Sequence, residues 1–257
     1  MNQLIILGTS NAIPALGHEN THLVLVTPQR KVMIDCGANP ILSLQQAGVD
    51  VIEITDIILT HMHPDHVGSL PLLLMAMWLM GRQTPLNLHG LEYTLERIKS
   101  MMDLYGWSEW PKFFMVCFCP FPAQEKALVF EDEQLCATAS PVKHFLPNVC
   151  LRFELKKENK SFAYSCDTEP CQAVLNLAEG VDILLHEATG PFPGHSSAAQ
   201  AGEVARQAGV GSLYLIHYPT GNFAFGDPLS EASQTFSGEI QLAVDLMKID
   251  LLETAEE

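Results

Sequence analysis

Four side chains able to bind metal ions lie within six residues, in the segment His61-Met62-His63-Pro64-Asp65-His66. His61 and His63 are two residues apart on a predicted extended stretch, so their imidazole rings can point the same way and hold one ion. Asp65 and His66 follow where the chain is predicted to turn into a helix, and they can face a second ion. Imidazole and carboxylate are ligands of zinc, and also of manganese or iron. The segment therefore predicts part of a site for metal ions.

This segment cannot complete two coordination spheres, because each ion takes about three protein ligands and keeps one position open for water or substrate. The sequence offers three further candidates, His144, Asp167 and His217. Asp167 could instead cap a helix predicted over residues 167–177, and the two histidines could be ordinary core residues. Beside the first segment, metal binding is the interpretation that we favour for all three.

The elements that must position these residues are short apolar strands alternating with helical patterns. Predicted strands over residues 57–60, 161–165, 183–185 and 212–216 run into His61, Asp167, His186-Glu187 and His217. Residues 23–27 and 31–35 form a predicted hairpin. Helices are predicted over residues 66–80, apolar all round and therefore buried, and over residues 196–208, with Ser196 as N-cap. This pattern indicates an α/β chain with mixed strands and helices on both faces of its sheets, whose strand ends meet at one site.

Composition limits the classes of protein that fit. The chain has 257 residues, 47% of them hydrophobic, and a net charge of −16, which suits one globular domain and not a disordered chain. The acidic balance argues against nucleic-acid binding by bulk electrostatics. Seven scattered cysteines and an N-terminus without signal-peptide features predict a cytoplasmic protein. The longest apolar stretch, 70–80, is too short for a membrane span, so we expect no membrane partner.

Several motifs together resemble a known group of enzymes. The pattern His-x-His-x-Asp-His, followed by Gly-Ser-Leu-Pro at 68–71, resembles the metallo-β-lactamase superfamily. Tyr-Ser-Cys-Asp-Thr at 164–168, His-Glu-Ala-Thr at 186–189 and His-Ser-Ser at 195–197 are similar to its ribonuclease Z branch, the tRNA 3′-endonucleases and their phosphodiesterase relatives. The resemblance implies a four-layer αβ/βα sandwich, a single domain over residues 1–257, with a dinuclear metal site at one edge.

The resemblance also assigns roles to the candidate residues. His61, His63 and His144 would hold one divalent cation, Asp65, His66 and His217 a second, and Asp167 would bridge them, with Asp35 supporting the ligand loop. Zinc is favoured by ligand type, although manganese or iron would fit. The shared hydroxide between the cations would attack phosphorus. His195 would protonate the leaving group, oriented by Glu187, and Asp65 counts with this pair among the catalytic residues. Alternatively, His195 simply precedes a helix and Glu187 packs near a strand end.

Two departures from the ribonuclease Z pattern bear on the substrate. Only 22 residues separate His144 from Asp167, so the basic, glycine-rich arm that grips tRNA is replaced by a plain hairpin with a lysine-rich turn at 156–160. The segment after His217 lacks the usual Ser and Arg. We therefore expect a phosphodiesterase acting on small or single-stranded diesters, such as cyclic phosphates or nucleotide diesters.

Three alternatives stay open. The first is a tRNA 3′-processing endoribonuclease without an arm, acting on tRNA precursors. The second is a thioesterase, lactonase or lactamase of the same fold, and the third is a non-catalytic metal-binding scaffold. By analogy with the family we expect a homodimer. His89 is interpreted as a substitution near the pocket rim, His18 and His22 stay unassigned, and the aromatic residues at 107–121 are expected to form a buried cluster.

Overall fold

Two mixed β-sheets of seven strands each form the centre of the computed structural model, which describes residues 2–252. The first sheet contains β1 (Gln3–Gly8), β2 (His22–Val26), β3 (Lys31–Ile34), β4 (Asp56–Leu59), β5 (Leu86–Leu91), β6 (Val116–Phe121) and β14 (Lys248–Asp250). The second contains β7 (Ala127–Glu131), β8 (Leu135–Pro141), β9 (Val149–Leu155), β10 (Lys160–Tyr164), β11 (Ile183–Glu187), β12 (Ser212–Ile216) and β13 (Glu239–Leu242). The helices are α1 (Pro40–Ala47), α2 (Pro64–Val67), α3 (Leu70–Leu79), α4 (Glu92–Leu104), α5 (Gln172–Ala178), α6 (Ala198–Ala208) and α7 (Pro228–Ser233).

Each sheet has an antiparallel half and a parallel half. In the first sheet, ordered β14-β1-β2-β3-β4-β5-β6, the strands from β14 to β3 are antiparallel and those from β3 to β6 are parallel. In the second, ordered β13-β12-β11-β10-β9-β8-β7, β7 to β10 are antiparallel and β10 to β13 are parallel. The carboxyl ends of β4, β10, β11 and β12 therefore carry the predicted site residues to one edge of the molecule.

Three apolar layers separate the two sheets and the helices. One layer lies between the sheets, where Phe153 and Phe162 stack with their ring centroids 4.6 Å apart. A second joins the first sheet to α1, α3 and α4, and a third joins the second sheet to α5, α6 and α7. The expected four-layer αβ/βα sandwich in one domain is confirmed.

The structure corrects the extent of one predicted helix and the starts of two others. The predicted helix over 66–80 is two helices, α2 and α3. α3 is not buried all round, because only one side packs on the sheet and Leu72, Met75 and Leu79 on its outer side are exposed.

No helix among the described residues is long and apolar enough to cross a membrane.

The other correction concerns helix starts. α6 is capped by Ser197 in a capping box with Gln200, not by Ser196, whose hydroxyl donates to the carbonyl of Thr168 instead. α5 begins at Gln172, so the carboxylate of Asp167 does not cap it and is left for the site.

Candidate metal centre

Three strands that supply the site end in a residue with left-handed backbone. Asp35 and His217 directly follow β3 and β12, and their φ values are 63° and 53°. Cys166 lies two residues after the end of β10, with a φ of 50°. This conformation costs a non-glycine residue about 1–2 kcal/mol, and such strain gathers at functional sites. The left-handed backbone turns the chain sharply at the sheet edge, where Asp35 accepts from His66, Asp167 follows Cys166 and His217 itself belongs to the site.

Seven predicted site residues meet at this edge in two groups. The first group contains His61, His63 and His144, whose ring nitrogens lie close together. Nδ1 of His63 is 3.0 Å from Nε2 of His61 and 3.1 Å from Nε2 of His144. Two of these residues follow β4 and the third follows β8, so donors from both sheets converge on one point. Together with Asp167 they form a set that could hold a metal ion.

The second group contains Asp65, His66 and His217, and it is equally compact. Nε2 of His66 and Nε2 of His217 each lie 3.5 Å from Oδ2 of Asp65. Asp65 and His66 come from α2, at the edge of the first sheet, and His217 follows β12 of the second sheet. This group also combines donors from both sheets.

Asp167 lies between the groups and presents a different oxygen to each. Its Oδ1 is 3.5 Å from Nε2 of His66 and 3.4 Å from Nε2 of His217. Its Oδ2 is 3.9 Å from Nε2 of His61 and 4.0 Å from Nε2 of His144. A carboxylate in this position can bridge two cations, one in each group.

Hydrogen bonds on the far side of four rings determine which nitrogen faces the centre. Nδ1 of His144 donates to the carbonyl of Gly194 at 2.8 Å, and Nδ1 of His66 donates to Oδ2 of Asp35 at 2.7 Å. Nδ1 of His61 contacts the hydroxyl of Thr60 at 3.1 Å, and that of His217 contacts the hydroxyl of Thr189 at 2.9 Å. Because Nδ1 carries a proton in each of these bonds, Nε2 is the ring nitrogen that faces the centre, which is the arrangement that metal-binding histidines need.

The charges of the two groups differ. Burial lowers the pKa of His61, His63 and His144, so the first group consists of neutral imidazoles. Burial disfavours the charged form of Asp65, but His217 and His66 beside it outweigh this and lower its pKa to about 2.

Asp167 and His66 show the same competition between burial and neighbouring charges. Burial opposes ionisation of Asp167, yet His217 and His66 hold its pKa well below the usual range. Burial likewise lowers the pKa of His66, but the carboxylates of Asp167 and Asp35 raise it well above its ordinary value. Ionised carboxylates facing imidazoles call for positive charge at the centre, which a proton on His66 or bound cations can supply.

Unpaired buried atoms provide a test of whether metal ions fit. Among the described residues, Nε2 of His66, Nε2 of His217 and Oδ1 of Asp167 are buried without a hydrogen-bond partner. Buried polar atoms are nearly always paired, and an unpaired one in a native fold requires an explanation. All three point at the same place, and all three are ligand atoms for divalent cations. The donor set therefore fits a metal centre.

His195 stands beside both groups and is held by Glu187. Its Nδ1 donates to Oε1 of Glu187 at 3.0 Å, and its ring is 5.2 Å from that of His144 and 6.0 Å from that of His217, centroid to centroid. Burial lowers the pKa of His195, but the hydrogen bond to Glu187 and the charges of Glu187, Asp167 and Asp65 together outweigh burial and raise it above the ordinary value.

Glu187 is fully buried at the end of β11 and is held rigidly. Its oxygens accept backbone N–H groups from Thr168, Thr189 and Ser196 at 2.9–3.1 Å. The carboxylate therefore orients the ring of His195 and leaves Nε2 as that ring's free nitrogen.

The groups open into a cleft of about 370 Å³. Its lining contains His63, Asp65, Asp167, His195 and His217 from the site, with Asn11, Ala12, Pro64, Phe145 and Thr189 around them. Its lining contains no lysine or arginine among the described residues 2–252. A larger cleft of about 550 Å³ lies at the opposite edge of the first sheet, but Arg82 in it donates to four backbone carbonyls and is satisfied structurally.

Several residues that matter to the site were not singled out from the sequence. Thr60 and Thr189 position rings, and Cys166 donates to the hydroxyl of Thr60 at 3.0 Å. Their sequence signals are weaker: Thr60 precedes His61, and Cys166 and Thr189 lie within the Tyr-Ser-Cys-Asp-Thr and His-Glu-Ala-Thr motifs. Asp35 accepts from Thr60 and His66, the supporting role that the resemblance implies.

The remaining histidines lie outside the donor groups. His89 is not at the pocket rim, because it is buried on β5 with Nε2 on Asp56 at 2.9 Å. His22 is buried between the carbonyl of Asn20 and the hydroxyl of Ser43, and His18 contacts Thr9. The predicted buried aromatic cluster at 107–121 is buried only in part: Phe114 and Phe121 are buried, whereas the other aromatic side chains of the stretch are half buried. None of them lines the site cleft.

Comparisons with known proteins agree with this architecture. The chain is 27% identical to ribonuclease Z of Methanothermobacter thermautotrophicus, over 98% of this chain and 97% of that protein. Its fold is similar to that of the metallo-β-lactamase fold protein YhfI from Bacillus subtilis, with a TM-score of 0.80 and 20% identity over 96% of this chain and 98% of that one. It is equally similar to the short form of human tRNase Z, with a TM-score of 0.80 and 24% identity over 97% and 99%. The predicted resemblance to the ribonuclease Z branch of the metallo-β-lactamase superfamily is confirmed. Residues 2–232 match the family model described as anti-Pycsar protein Apyc1, and the chain belongs to that family.

Proposed function

We propose that this protein is a metal-dependent phosphodiesterase, formed by one hydrolase domain, that binds two divalent cations and hydrolyses small phosphodiesters. The observation that carries the proposal is the position of Asp167, with one oxygen toward each of two compact donor groups. His61, His63 and His144 would hold one cation, and Asp65, His66 and His217 the other. Zinc suits these ligands, and manganese or iron would also fit.

In this proposal, different residues of the site have different roles in hydrolysis. When bound, two divalent cations supply a water of lowered pKa and positive charge that stabilises an in-line displacement at phosphorus. Asp65 and Asp167 hold the site's negative charge in place, and His195 holds a proton on Nε2 for the departing alkoxide. Glu187 keeps the ring of His195 in the orientation needed for that transfer.

The hairpin that stands in place of a basic arm favours a small substrate over tRNA. β9 and β10 are joined by a tight turn at the opposite end of β10 from Asp167, whose Lys156 pairs with Glu131 and whose neighbour Lys160 pairs with Asp182. These two pairings with acids reduce the basic character of the turn. The relatives named ribonuclease Z make a tRNA precursor the second candidate substrate.

A single comparison of substrates tests the proposal. Zinc-loaded and manganese-loaded protein would be offered a cyclic nucleotide, bis(p-nitrophenyl) phosphate, an unprocessed tRNA precursor and an activated thioester, with Asp167→Asn as the control variant. We expect turnover of the small diesters that Asp167→Asn abolishes. Cleavage of the precursor at its 3′ trailer would establish the tRNA-processing alternative, and thioester turnover alone would contradict the proposal.

A further inference from the structure

Glu169 is a charged residue near the site that the chemistry described above does not use. It lies two residues after Asp167, in the loop between β10 and α5, and its side chain is 31% exposed. Its carboxylate contacts two neighbouring loops: Oε1 accepts the N–H of Gly194 at 3.0 Å, and Oε2 pairs with the ammonium group of Lys143. One carboxylate therefore joins the three loops that follow β8, β10 and β11.

Backbone contacts hold the chain around Glu169 in place. Its N–H donates to the carbonyl of Lys143 at 2.9 Å, in an isolated antiparallel bridge between the first two of these loops. The preceding residue, Thr168, is buried, and its N–H donates to Oε1 of Glu187 at 3.0 Å. Because the backbone on this side is fixed, the carboxylate of Glu169 reaches the third loop from a rigid base.

The third loop needs an acceptor at this place because of the turn that it contains. Phe192-Pro193-Gly194-His195 has Pro and Gly at its two central positions, which is typical of a type II turn, and the N–H of His195 donates to the carbonyl of Phe192 at 3.0 Å. Gly194 has the positive φ, +78°, that this turn requires at its third position. The N–H of that third residue has no partner within the turn, and Glu169 accepts it.

The turn in its turn controls two residues of the site. The carbonyl of Gly194 accepts the Nδ1 proton of His144 at 2.8 Å, and His195 is the next residue along the chain. The packing is tight, since a Cβ atom at Gly194 would stand 3.1 Å from Nδ1 of His144. The place of the turn therefore determines both the direction of the His144 ring and the start of the His195 side chain, whose Nδ1 must reach Glu187.

We propose that Glu169 is a positioning residue, which fixes the turn at 192–195 and through it the orientation of His144 and His195. This inference rests on the proposed function and adds to it a residue that does not line the cleft. The contact with the amide of Gly194 is the one that positions the turn. An exposed ion pair contributes little, so the pairing with Lys143, whose side chain is 65% exposed, is secondary.

Three variants separate the amide contact from the ion pair. Glu169→Ala removes both the acceptor for Gly194 and the partner of Lys143, whereas Glu169→Gln keeps a side-chain oxygen for the amide and removes the charge. Glu131→Ala, which breaks the ion pair with Lys156 elsewhere on the surface, is the matched control. Amide hydrogen exchange of Gly194 would be measured by NMR with and without zinc, zinc affinity by competition with a chelator, and kcat on a nucleotide diester and on bis(p-nitrophenyl) phosphate.

In Glu169→Ala we expect faster exchange at Gly194 and a zinc affinity about tenfold lower, because the ring of His144 is less well oriented. We expect kcat on the nucleotide diester to fall by about 10–100-fold. The loss on bis(p-nitrophenyl) phosphate should be smaller, because its leaving group does not need the proton of His195. Glu169→Gln should return all of these values close to those of the wild type, and Glu131→Ala should leave them unchanged.

Two results would overturn the inference. One is an exchange rate at Gly194 that Glu169→Ala leaves unchanged. The other is a Glu169→Gln variant as impaired as Glu169→Ala, which would assign the effect to the ion pair with Lys143. Failure of the proposed function is recognised separately, as wild-type protein that cleaves no diester although its Gly194 exchange and zinc affinity still depend on Glu169.

Discussion

The ring of His195 illustrates how one residue can be tuned by its neighbours while it stays outside the donor groups. Its Nδ1 is taken by Glu187, which is itself fixed by three backbone N–H groups, so ring orientation does not depend on substrate. Because only Nε2 is left free, this residue can deliver a proton to a leaving group without serving as a ligand.

We expect His195→Ala to keep the wild-type metal content and to lower kcat on a nucleotide diester by about 10²–10⁴-fold. The loss should be much smaller on bis(p-nitrophenyl) phosphate, because p-nitrophenolate leaves without being protonated. Metal analysis and steady-state rates on both substrates check this. Equal losses on the two substrates would mean that His195 does not act as the general acid.

At the scale of elements, a second polar cluster joins the sheets at the edge opposite the site. Asp56, at the start of β4, accepts from Thr55, His89 and Arg30 at 2.7–3.0 Å. Arg30 also donates to Asp132, beyond β7 in the second sheet, at 2.6 Å and lies over the ring of Phe130. Burial disfavours charge on Asp56, but the bonds from His89 and Thr55 and the charge of Arg30 lower its pKa to about 2.

This cluster predicts a component of acid sensitivity. A carboxyl group whose pKa is lower in the folded chain stabilises the fold above its ordinary pKa, and that contribution is lost as the pH falls from about 4 to about 2. The contribution of Asp56 is about 2 kcal/mol. Urea unfolding of the wild type and of Asp56→Asn across this pH range isolates it, since the other carboxylates titrate in both proteins. Identical pH dependence in the two proteins would contradict the assignment.

The elements also show which features of the fold and the site could be predicted from the sequence. The donor residues of the first segment were predictable, because two histidines at alternate positions followed by Asp65 and His66 form a pattern that is typical of metal binding. The start of α6 was displaced by one residue because two adjacent serines suit an N-cap equally, and a distant carbonyl of Thr168 decided between them. The partnership of His89 with Asp56 and the contact of Glu169 with Gly194 depend on strand order and loop placement, which have no local signal. Left-handed backbone at Cys166 is equally hidden, since cysteine is not among the residue types enriched in that conformation.

At the scale of the whole molecule, the candidate metal centre takes its side chains from both sheets. Each donor group takes side chains from both, so bound cations would link the halves of the sandwich at one edge while Arg30 links them at the other. A ligand that binds only the folded state stabilises it by about 2.7 kcal/mol at a free concentration one hundred times its Kd.

We therefore expect removal of metal with a chelator to lower Tm by about 5–10 °C for each site that was occupied to that degree. Calorimetric scans of the chelated and zinc-loaded protein measure this shift, and Asp167→Asn should show most of it lost. A Tm that is independent of metal in the wild type would contradict the cross-sheet site.

The division of each donor group between the sheets has a consequence for biosynthesis. A ribosome releases the segment around His61–His66 well before the strands that precede His144, Asp167 and His217. A nascent chain consequently displays incomplete donor sets for most of its synthesis, with too few ligands to retain a cation tightly. Tight binding of cations would therefore require that both sheets are in place, which puts it at the end of folding.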